Sequence, residues 1–392
     1  MLSTDTKLKS FTFSYYTTMA IVISFFPLYF DSLGFSKLQI GLILSSGPLV
    51  AIIANLFWGI MSDRLQKIKK IIIILLFGQL VIILFLSQSS TFGLILALMA
   101  CFFFFQTPLN GLNDSQILLT IRSSGKSYAS FRVMGSIGFA TSAAMFGWFL
   151  TGKPSSIVAI ITIFTIMISI FLSFSLTEAR NGLQMAKIDF KGFKNVFLRR
   201  GLLIFLLLIL MTSTAHRCND YFLALHMRSL GAEQDLVGMA WMTSALSEIP
   251  IFFLLSRYGE RFNELLLLAI ASFFYVIRFA LLGVTSSPSA VIGIQMLHSV
   301  TFGIFLFTTI QYLKKQIPDP FRATGQAVFS MIWGGFAGVL SGFIGGQLFD
   351  NYGGRAIFLF AAIVAGIACI GFLASFYLSN RSISASLISK LE

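Results

Sequence analysis

Long apolar runs separated by short polar segments dominate this chain. A helix needs about 20 predominantly apolar residues to cross the hydrocarbon core of a bilayer. Runs that approach or exceed this length cover residues 11–31, 40–62, 70–87, 91–119, 128–150, 157–176, 200–225, 236–256, 264–284, 288–313, 322–348 and 355–378. The pattern therefore predicts an all-α integral membrane protein with twelve transmembrane helices.

The composition supports lipid as the main solvent. Of the 392 residues, 56% are hydrophobic and only 11% are charged, whereas soluble domains carry about 25% charged residues. The net charge of +13 comes from lysines and arginines in short clusters between apolar runs, which excludes a nucleic-acid-binding surface. The cysteines lie inside apolar runs and the histidines lack metal-ligand spacing, so we expect no metal and no cofactor.

The positive charges predict the orientation of the chain. Positively charged loops stay on the cytoplasmic side of a membrane. Of the 28 lysines and arginines, only four fall in predicted loops on the side opposite the termini, namely Lys37, Lys153, Arg228 and Arg355. Both termini are therefore expected in the cytoplasm.

The longest predicted loop divides the chain into two halves of six helices. We expect an N-terminal bundle at 1–176, a central cytoplasmic loop at 177–199 and a C-terminal bundle at 200–392. A basic loop follows the second helix of each half, and a Phe-Arg-x-x-Gly motif opens the fifth helix of each half, at Phe131 and Phe321. Such repeats are typical of two bundles that move about a central site, although chance similarity in glycine-rich apolar sequence also produces them.

Apart from charges at the first or last position of a run, six charged residues lie inside the predicted helices. A charge at the bilayer centre costs about 2.5–3.5 kcal/mol or more, so it usually faces a cavity or a partner and marks a transport path. Two histidines join the set, which comprises Asp114, Arg132, Arg217, Asp220, Glu248, Arg278, His216 and His298. The charges balance in sign, so all of them can pair.

Polar residues on helices four and five suggest a binding site for a solute. Asn110 and Asp114 are one helical turn apart on helix four, and Arg132 shares a face of helix five with Ser136 and Phe139. An Asp114–Arg132 pair could bind the polar groups of a solute. Alternatively, both charges lie near helix ends and reach toward water.

The second half carries candidates for proton coupling. His216 and Asp220 are one turn apart and form either an ion pair or a proton relay, or a cluster wetted by solvent. Glu248 precedes Pro250, and a carboxylate in apolar surroundings can take up a proton; a bond to a neighbouring helix is the alternative. His298 likewise belongs either to a proton or substrate site or to a structural hydrogen bond between helices.

The segment Trp58–Leu65 resembles the loop signature of the major facilitator superfamily. The resemblance implies a conformational gate at Asp63 and Arg64. The sequence departs from the family pattern after Arg64, where Leu65 and Gln66 replace the usual glycine and basic residue.

Nearly the whole chain is similar to the branch that contains lactose permease, phenylpropionate permease and nucleoside–proton symporters. The similar segments include Phe25–Tyr29, Pro108–Ser115, Tyr128–Gly138, Glu248–Pro250 and Leu297–His298. The resemblance places Arg132 and Asp114 in the substrate site and Arg278 and His298 in the proton-coupling region. Thr301 stands where lactose permease has a carboxylate, and Phe139 stands at its sugar-stacking tryptophan, which argues against lactose.

We therefore expect a secondary active transporter, a proton-coupled symporter of a sugar, nucleoside or aromatic acid that works by alternating access. An exporter or exchanger of the same fold is the alternative, and a membrane receptor or enzyme a remote one, since no nucleophile–base signature is present. The expected partners are a small-molecule substrate, protons and membrane lipid. The resemblance implies a monomer in the bacterial cytoplasmic membrane.

Overall fold

Twelve long helices make up the computed structural model, which describes residues 3–124, 128–178, 198–318 and 322–388. Each predicted apolar run corresponds to one helix, and every helix is long and apolar enough to cross a membrane. The helices are α1 Thr4–Ser32, α2 Lys37–Leu65, α3 Ile68–Leu86, α4 Phe92–Ser124, α5 Ala129–Leu150, α6 Ile157–Phe174, α7 Arg200–Ser229, α8 Gln234–Tyr258, α9 Glu264–Val284, α10 Pro288–Gln316, α11 322–352 and α12 Gly354–Ile388.

Local sequence signals explain where several helices begin and end. Ser36 forms a capping box with Gln39 at the start of α2, so the side chain of each bonds to the backbone of the other. The Asn263 side chain accepts hydrogen bonds from two backbone N–H groups in the first turn of α9. Gly353 has φ +80°, a conformation that favours glycine, and it ends α11 one residue before α12 begins.

The helices pack as two halves, α1–α6 and α7–α12. In the first half α1 packs against α5 and α6, and α4 packs against α2 and α3; in the second half α12 packs against α7 and α9. The main contacts between the halves join α5 to α8 and α2 to α11. Large apolar side chains such as Phe171 and Trp148 point outward and are 76% and 75% exposed, which fits a surface covered by lipid.

Two helices of the second half depart from regular α-helical geometry. A 3₁₀ turn at Gln295–Leu297 and a π-helical segment at Ser299–Gly303 interrupt α10. A second π-helical segment, Met331–Phe336, lies in the middle of α11. Such π segments are rare and are frequent at functional sites.

Glycines bring the two halves into close contact at one end of the molecule. We call the end where α1 begins the terminal face and the opposite end, where α2 begins, the distal face. At the distal face a Cβ atom on Gly41 would collide with the carbonyl oxygen of Gly342, and one on Gly238 would collide with that of Ala143. Only glycine permits these backbones to approach so closely.

Two hydrogen-bonded caps also cross between the halves at the distal face. The backbone N–H groups of Lys37 and Leu38, in the first turn of α2, donate to the Asp350 carboxylate of α11 at 2.8 and 2.9 Å. The backbone N–H of Asp235, in the first turn of α8, donates to Thr151 Oγ1 at the end of α5, at 3.2 Å. Each cap satisfies free donors at a helix N-terminus with a side chain of the other half.

Replacing Asp350 should loosen the distal closure. Loss of an N-cap costs about 1 kcal/mol, so Asp350→Ala should raise the open fraction about fivefold. The reporter is Ser45→Cys, because Ser45 is 3% exposed and lies against Gly342 at the interface. We expect faster maleimide modification of purified protein whose own free cysteines have been replaced, namely Cys101, Cys218 and Cys369.

The matched control is Asp350→Asn, whose amide oxygen can still accept one of the two hydrogen bonds and should give an intermediate rate. Equal modification rates in all three proteins would show that the cap does not hold the distal face closed.

Candidate functional site

Two tyrosines bring the predicted solute-binding residues of the first half together. Tyr128, in the turn before α5, donates a hydrogen bond to Asp114 Oδ1 at 2.9 Å. The Arg132 guanidinium lies 4.6 Å from the centre of the Tyr16 ring. The Tyr16 hydroxyl in turn donates to Asn110 Oδ1 at 2.8 Å. Residues from α1, α4 and α5 thus form one polar cluster.

This first-half cluster lies toward the terminal face, since Arg132 is in the first turn of α5. Arg132 and Asp114 are half-buried and interact electrostatically. Glu248 of α8, in the other half, is the most weakly interacting of the charged and tyrosine side chains that affect Arg132 electrostatically. Ser136 is half-buried one turn farther along α5.

Arg278 is the centre of a second cluster, formed by α7, α9 and α10. Its side chain is 0% exposed. The guanidinium donates to Thr301 Oγ1 at 3.1 Å and to Asn219 Oδ1 at 3.3 Å, and it also bonds to Gln295 Oε1. Its Nη1 lies 2.9 Å from His298 Nδ1. Every one of these contacts satisfies a donor of a buried cation.

The contact with Arg278 determines the tautomer of His298. An arginine has donors and no acceptor, so His298 Nδ1 must accept and the ring proton must lie on Nε2. His298 Nε2 is 2.8 Å from Glu248 Oε1, where it donates to the carboxylate. A neutral imidazole therefore links the Arg278 cation to the Glu248 anion, and we call this chain the Arg–His–Glu relay.

The predicted contact between His216 and Asp220 is long. His216 Nε2 lies 3.6 Å from Asp220 Oδ1, while Arg217 Nη1 lies 3.0 Å from Asp220 Oδ2. His216 Nδ1 is hydrogen-bonded to the Tyr275 hydroxyl at 2.8 Å. Arg217 is therefore the direct partner of Asp220, and its Nε also donates to the backbone oxygen of Trp333 at 3.3 Å.

One aromatic ring connects the two histidines. Phe302, in the π segment of α10, stacks on His216 at 5.0 Å and on His298 at 5.2 Å, each with an interplanar angle of 20°. Trp333, in the π segment of α11, lies 4.9 Å from His216. The irregular turns thus pack their aromatic side chains around the buried charges.

A cavity of about 300 Å³ lies between the two halves. Six helices contribute to its wall, which contains Met19, Val22, Ile23, Leu44, Gly47, Pro48, Ala51, Phe103, Gln106, Thr107, Arg217, Asp220, Tyr221, Trp241 and Gly334. A second cavity of about 400 Å³ runs between α2 and α4 and includes Asn110; Thr107 lines both. Phe139 is in edge contact with Trp241, with ring centres 6.2 Å apart.

The predicted gate residues lie in the last turns of α2, at the terminal face. Arg64 is exposed. The Asp63 side chain lies outside the part of the chain that the structure describes, so its gating role stays a prediction.

Sequence reasoning missed the neutral members of both clusters. Tyr16, Tyr128, Asn219 and Thr301 carry no charge, and they contact the charged residues across helices. Asn219 could have been found from its position next to Asp220 in an apolar run. No sequence signal places Tyr16 beside Arg132, because that contact depends on how α1 and α5 pack.

Comparisons with known proteins agree with the geometry. The MFS_1 like family matches residues 5–360. The uncharacterized transporter YwbF of Bacillus subtilis (strain 168) is 26% identical over 83% of this chain and 82% of its own. The probable 3-phenylpropionic acid transporter of Escherichia coli (strain K12) is 23% identical over 90% of this chain and 93% of its own. The crystal structure of the nucleoside transporter NupG matches with a TM-score of 0.81 at 19% identity, over 96% of this chain and 99% of that one.

Twelve apolar helices in two packed halves, with buried charges around a cavity between them, define a membrane transporter of the major facilitator fold. The chain belongs to the MFS_1 like family. It is a multi-pass protein of the bacterial cytoplasmic membrane and a transporter rather than an enzyme.

The Arg–His–Glu relay should behave as one charge-balanced unit. Glu248→Gln keeps a hydrogen-bond acceptor for His298 but removes the anion that balances Arg278. Removing one partner of a buried charge pair costs about 3–5 kcal/mol, so we expect a clear fall in the thermal unfolding temperature of the purified protein. The double variant Glu248→Gln/Arg278→Gln restores neutrality and should recover much of the loss.

Glu264→Gln is the matched control, because Glu264 pairs with the largely exposed Lys315 and surface pairs contribute about 0–1 kcal/mol. A double variant as unstable as the sum of its single variants would contradict the charge balance.

Proposed function

We propose that this transporter is a proton-coupled symporter of a small organic solute, and that the Arg–His–Glu relay carries the coupling. Both termini are placed in the cytoplasm on the basis of the lysine and arginine distribution. The halves, at 1–176 and 200–392, move as bundles joined by the central loop 177–199. The observation that carries the proposal is a carboxylate bound through histidine to a buried arginine. Phe302 and His216 connect this relay to Asp220 in the wall of the cavity between the halves.

The distal contacts support alternating access. The glycine pairs and the two caps bring the halves together at the distal face, while the cavity between α2 and α4 lies toward the terminal face. This arrangement corresponds to a carrier closed at the distal face. The opposite state requires α2 to leave α11 and α8 to leave α5, which breaks both caps together.

Charge balance links the proton to this movement. With Glu248 ionised, the relay has one positive and one negative end. A proton on Glu248 leaves Arg278 without this counter-ion, and a net charge among buried helices is unfavourable. The protein then favours a helix packing in which Arg278 donates to another acceptor. Proton binding therefore shifts the equilibrium between the two states.

The first-half cluster is the proposed polar end of the solute site. Asn110, Asp114, Arg132 and Ser136 offer donors and acceptors, and Arg132 senses Glu248 across the interface. Solute binding at Arg132 and proton binding at Glu248 then influence each other through this electrostatic interaction. Relatives named for maltose, for an aromatic acid and for nucleosides make sugars, aromatic acids and nucleosides the candidate solutes.

An exporter or exchanger is the second candidate, because a carrier can pass through the same two states in either direction of transport. Its distinguishing observation is the sign of proton movement, since an exchanger releases a proton as the solute enters.

Symport predicts alkalinisation of the medium when the correct solute is added to de-energised cells that contain the protein. Glu248→Gln should abolish the pH change but retain solute exchange, because exchange needs no net proton movement. Asp114→Asn should weaken solute affinity. Glu264→Gln, outside both clusters, should behave like the wild type.

Acidification would identify an exchanger. A full pH response in Glu248→Gln would remove Glu248 as the proton-binding group.

A further inference from the structure

A polar cavity of about 340 Å³ lies at the terminal face of the second half. Side chains of α9 and α10 form most of its wall, among them Glu264, Gln311, Lys314 and Lys315, and Gly259 in the turn after α8 also contributes. No member of the first-half cluster or of the Arg–His–Glu relay lines it. The cavity is therefore separate from the proposed solute and proton sites.

Lys314 is the free cation of this cavity. Lys315 is paired with Glu264, so these two charges neutralise each other. Lys314 is exposed, and it has no ion-pair or hydrogen-bond partner among the residues that the structure describes. The amide of Gln311, about one turn earlier on α10, likewise has no partner within the described ranges. Both side chains carry donors, so together they suit an anion.

Cations outnumber carboxylates around this cavity. The two segments of the chain that contribute to its rim, 256–264 and 314–322, contain five lysines and arginines and three aspartates and glutamates. Arg257 and Arg261 each lie over the ring of Tyr258, with the guanidinium carbon 5.6 and 5.2 Å from the ring centre. The excess of positive charge attracts an anionic ligand to this end of the molecule.

The basic residues continue an apolar surface that faces lipid. Phe253 and Arg257 are four positions apart on α8, and so are Leu254 and Tyr258, so each pair shares a face of the helix. Phe253 is 70% exposed and Leu254 is 54% exposed. Within one turn the outer surface of α8 thus changes from large apolar side chains to an arginine and a tyrosine. This change is typical of the boundary between hydrocarbon and lipid headgroups.

An apolar cavity of about 190 Å³ adjoins the polar one. Lys314 lines both cavities. The other residues of the apolar cavity are Ile310, Leu313, Ile317, Gly325 and Gln326. An amphiphile with an anionic head and a hydrocarbon tail matches this combination of a polar and an apolar recess on either side of one lysine.

We propose that these two adjoining cavities bind an anionic phospholipid. The phosphate lies in the polar cavity, where Lys314 and Gln311 donate to it, and the first part of an acyl chain lies against Ile310 and Leu313 in the apolar cavity. Basic pockets between transmembrane helices bind anionic headgroups by the same chemistry. A soluble phosphate compound shares the headgroup chemistry, but it leaves the apolar cavity and the lipid-facing surface of α8 unused.

The test is lipid binding to the purified full-length protein in detergent, measured by native mass spectrometry. The probes are phosphatidylglycerol, phosphatidylcholine and glycerophosphoglycerol. The first two are phosphodiesters with acyl chains, but only phosphatidylglycerol has a net negative charge, and glycerophosphoglycerol is its headgroup without the chains. We expect one phosphatidylglycerol to bind more tightly than further copies and more tightly than either of the other probes.

Substitutions of Lys314 should change this affinity in a graded way. One lysine near a lipid surface changes affinity about fivefold, so Lys314→Gln should weaken binding of the first phosphatidylglycerol about fivefold. Lys314→Glu reverses the charge and should weaken it about 25-fold. Lys314→Arg keeps the charge and should retain the affinity of the wild type.

Lys70→Gln is the matched control. Lys70 is exposed in the first turn of α3, at the terminal face of the first half, and it lines neither cavity. The substitution removes the same charge and should leave the affinity unchanged. Equal losses in Lys70→Gln and Lys314→Gln, or equal binding of phosphatidylglycerol and phosphatidylcholine, would overturn the proposal. Glycerophosphoglycerol that binds as tightly as phosphatidylglycerol would overturn the assignment to a lipid and identify a site for a soluble phosphate compound.

Discussion

A fully buried arginine is the constraint on which the second half of this protein depends. The Arg278 side chain has no exposed surface, so its donors depend on partners inside the bundle. Among the described residues both Nη atoms have such partners, whereas Nε has none. Asn219 comes from α7, whereas Gln295, His298 and Thr301 come from α10. These contacts fix the mutual rotation of three helices more firmly than apolar packing in lipid does, since lipid tails compete with apolar side chains for the same surface.

The same constraint connects Glu248, the proposed proton-binding group, to the cavity between the halves. Arg278 holds one nitrogen of His298, and the other nitrogen faces Glu248. Phe302 then stacks on both His298 and His216. His216 lies next to the Arg217–Asp220 pair in the cavity wall. A displacement at Glu248 therefore reaches the wall through direct contacts.

Much of the fold follows from the sequence, because lipid demands long apolar runs and leaves little freedom in how they cross. Each of the twelve predicted runs forms a helix in the structure. The main errors lie at the C-terminal ends of helices, because α4 extends to Ser124 and α12 extends to Ile388, where polar residues continue the helix beyond the apolar run. The charged members of the site were predictable because a charge among apolar residues is conspicuous.

The pairing of those charges was not predictable in the same way. Glu248 and His298 are 50 positions apart in the sequence, and their bond depends on the rotation of α8 against α10. The cross-half caps escaped notice for a related reason. Asp350 looks like an ordinary loop-end aspartate, and only the packing of α11 on α2 brings it to the backbone of Lys37 and Leu38.

The π segments of α10 and α11 have a consequence for the history of the family. A π turn accommodates one residue more than the α turn that it replaces. The helical segments before and after it therefore keep their direction, and the same side chains continue to face lipid. Insertion or deletion of a single residue within Ser299–Gly303 or Met331–Phe336 can thus change which side chains meet the buried charges without repacking the rest of the helix. Alignments of relatives should place single-residue gaps at these turns, where new solute preferences can arise in one step.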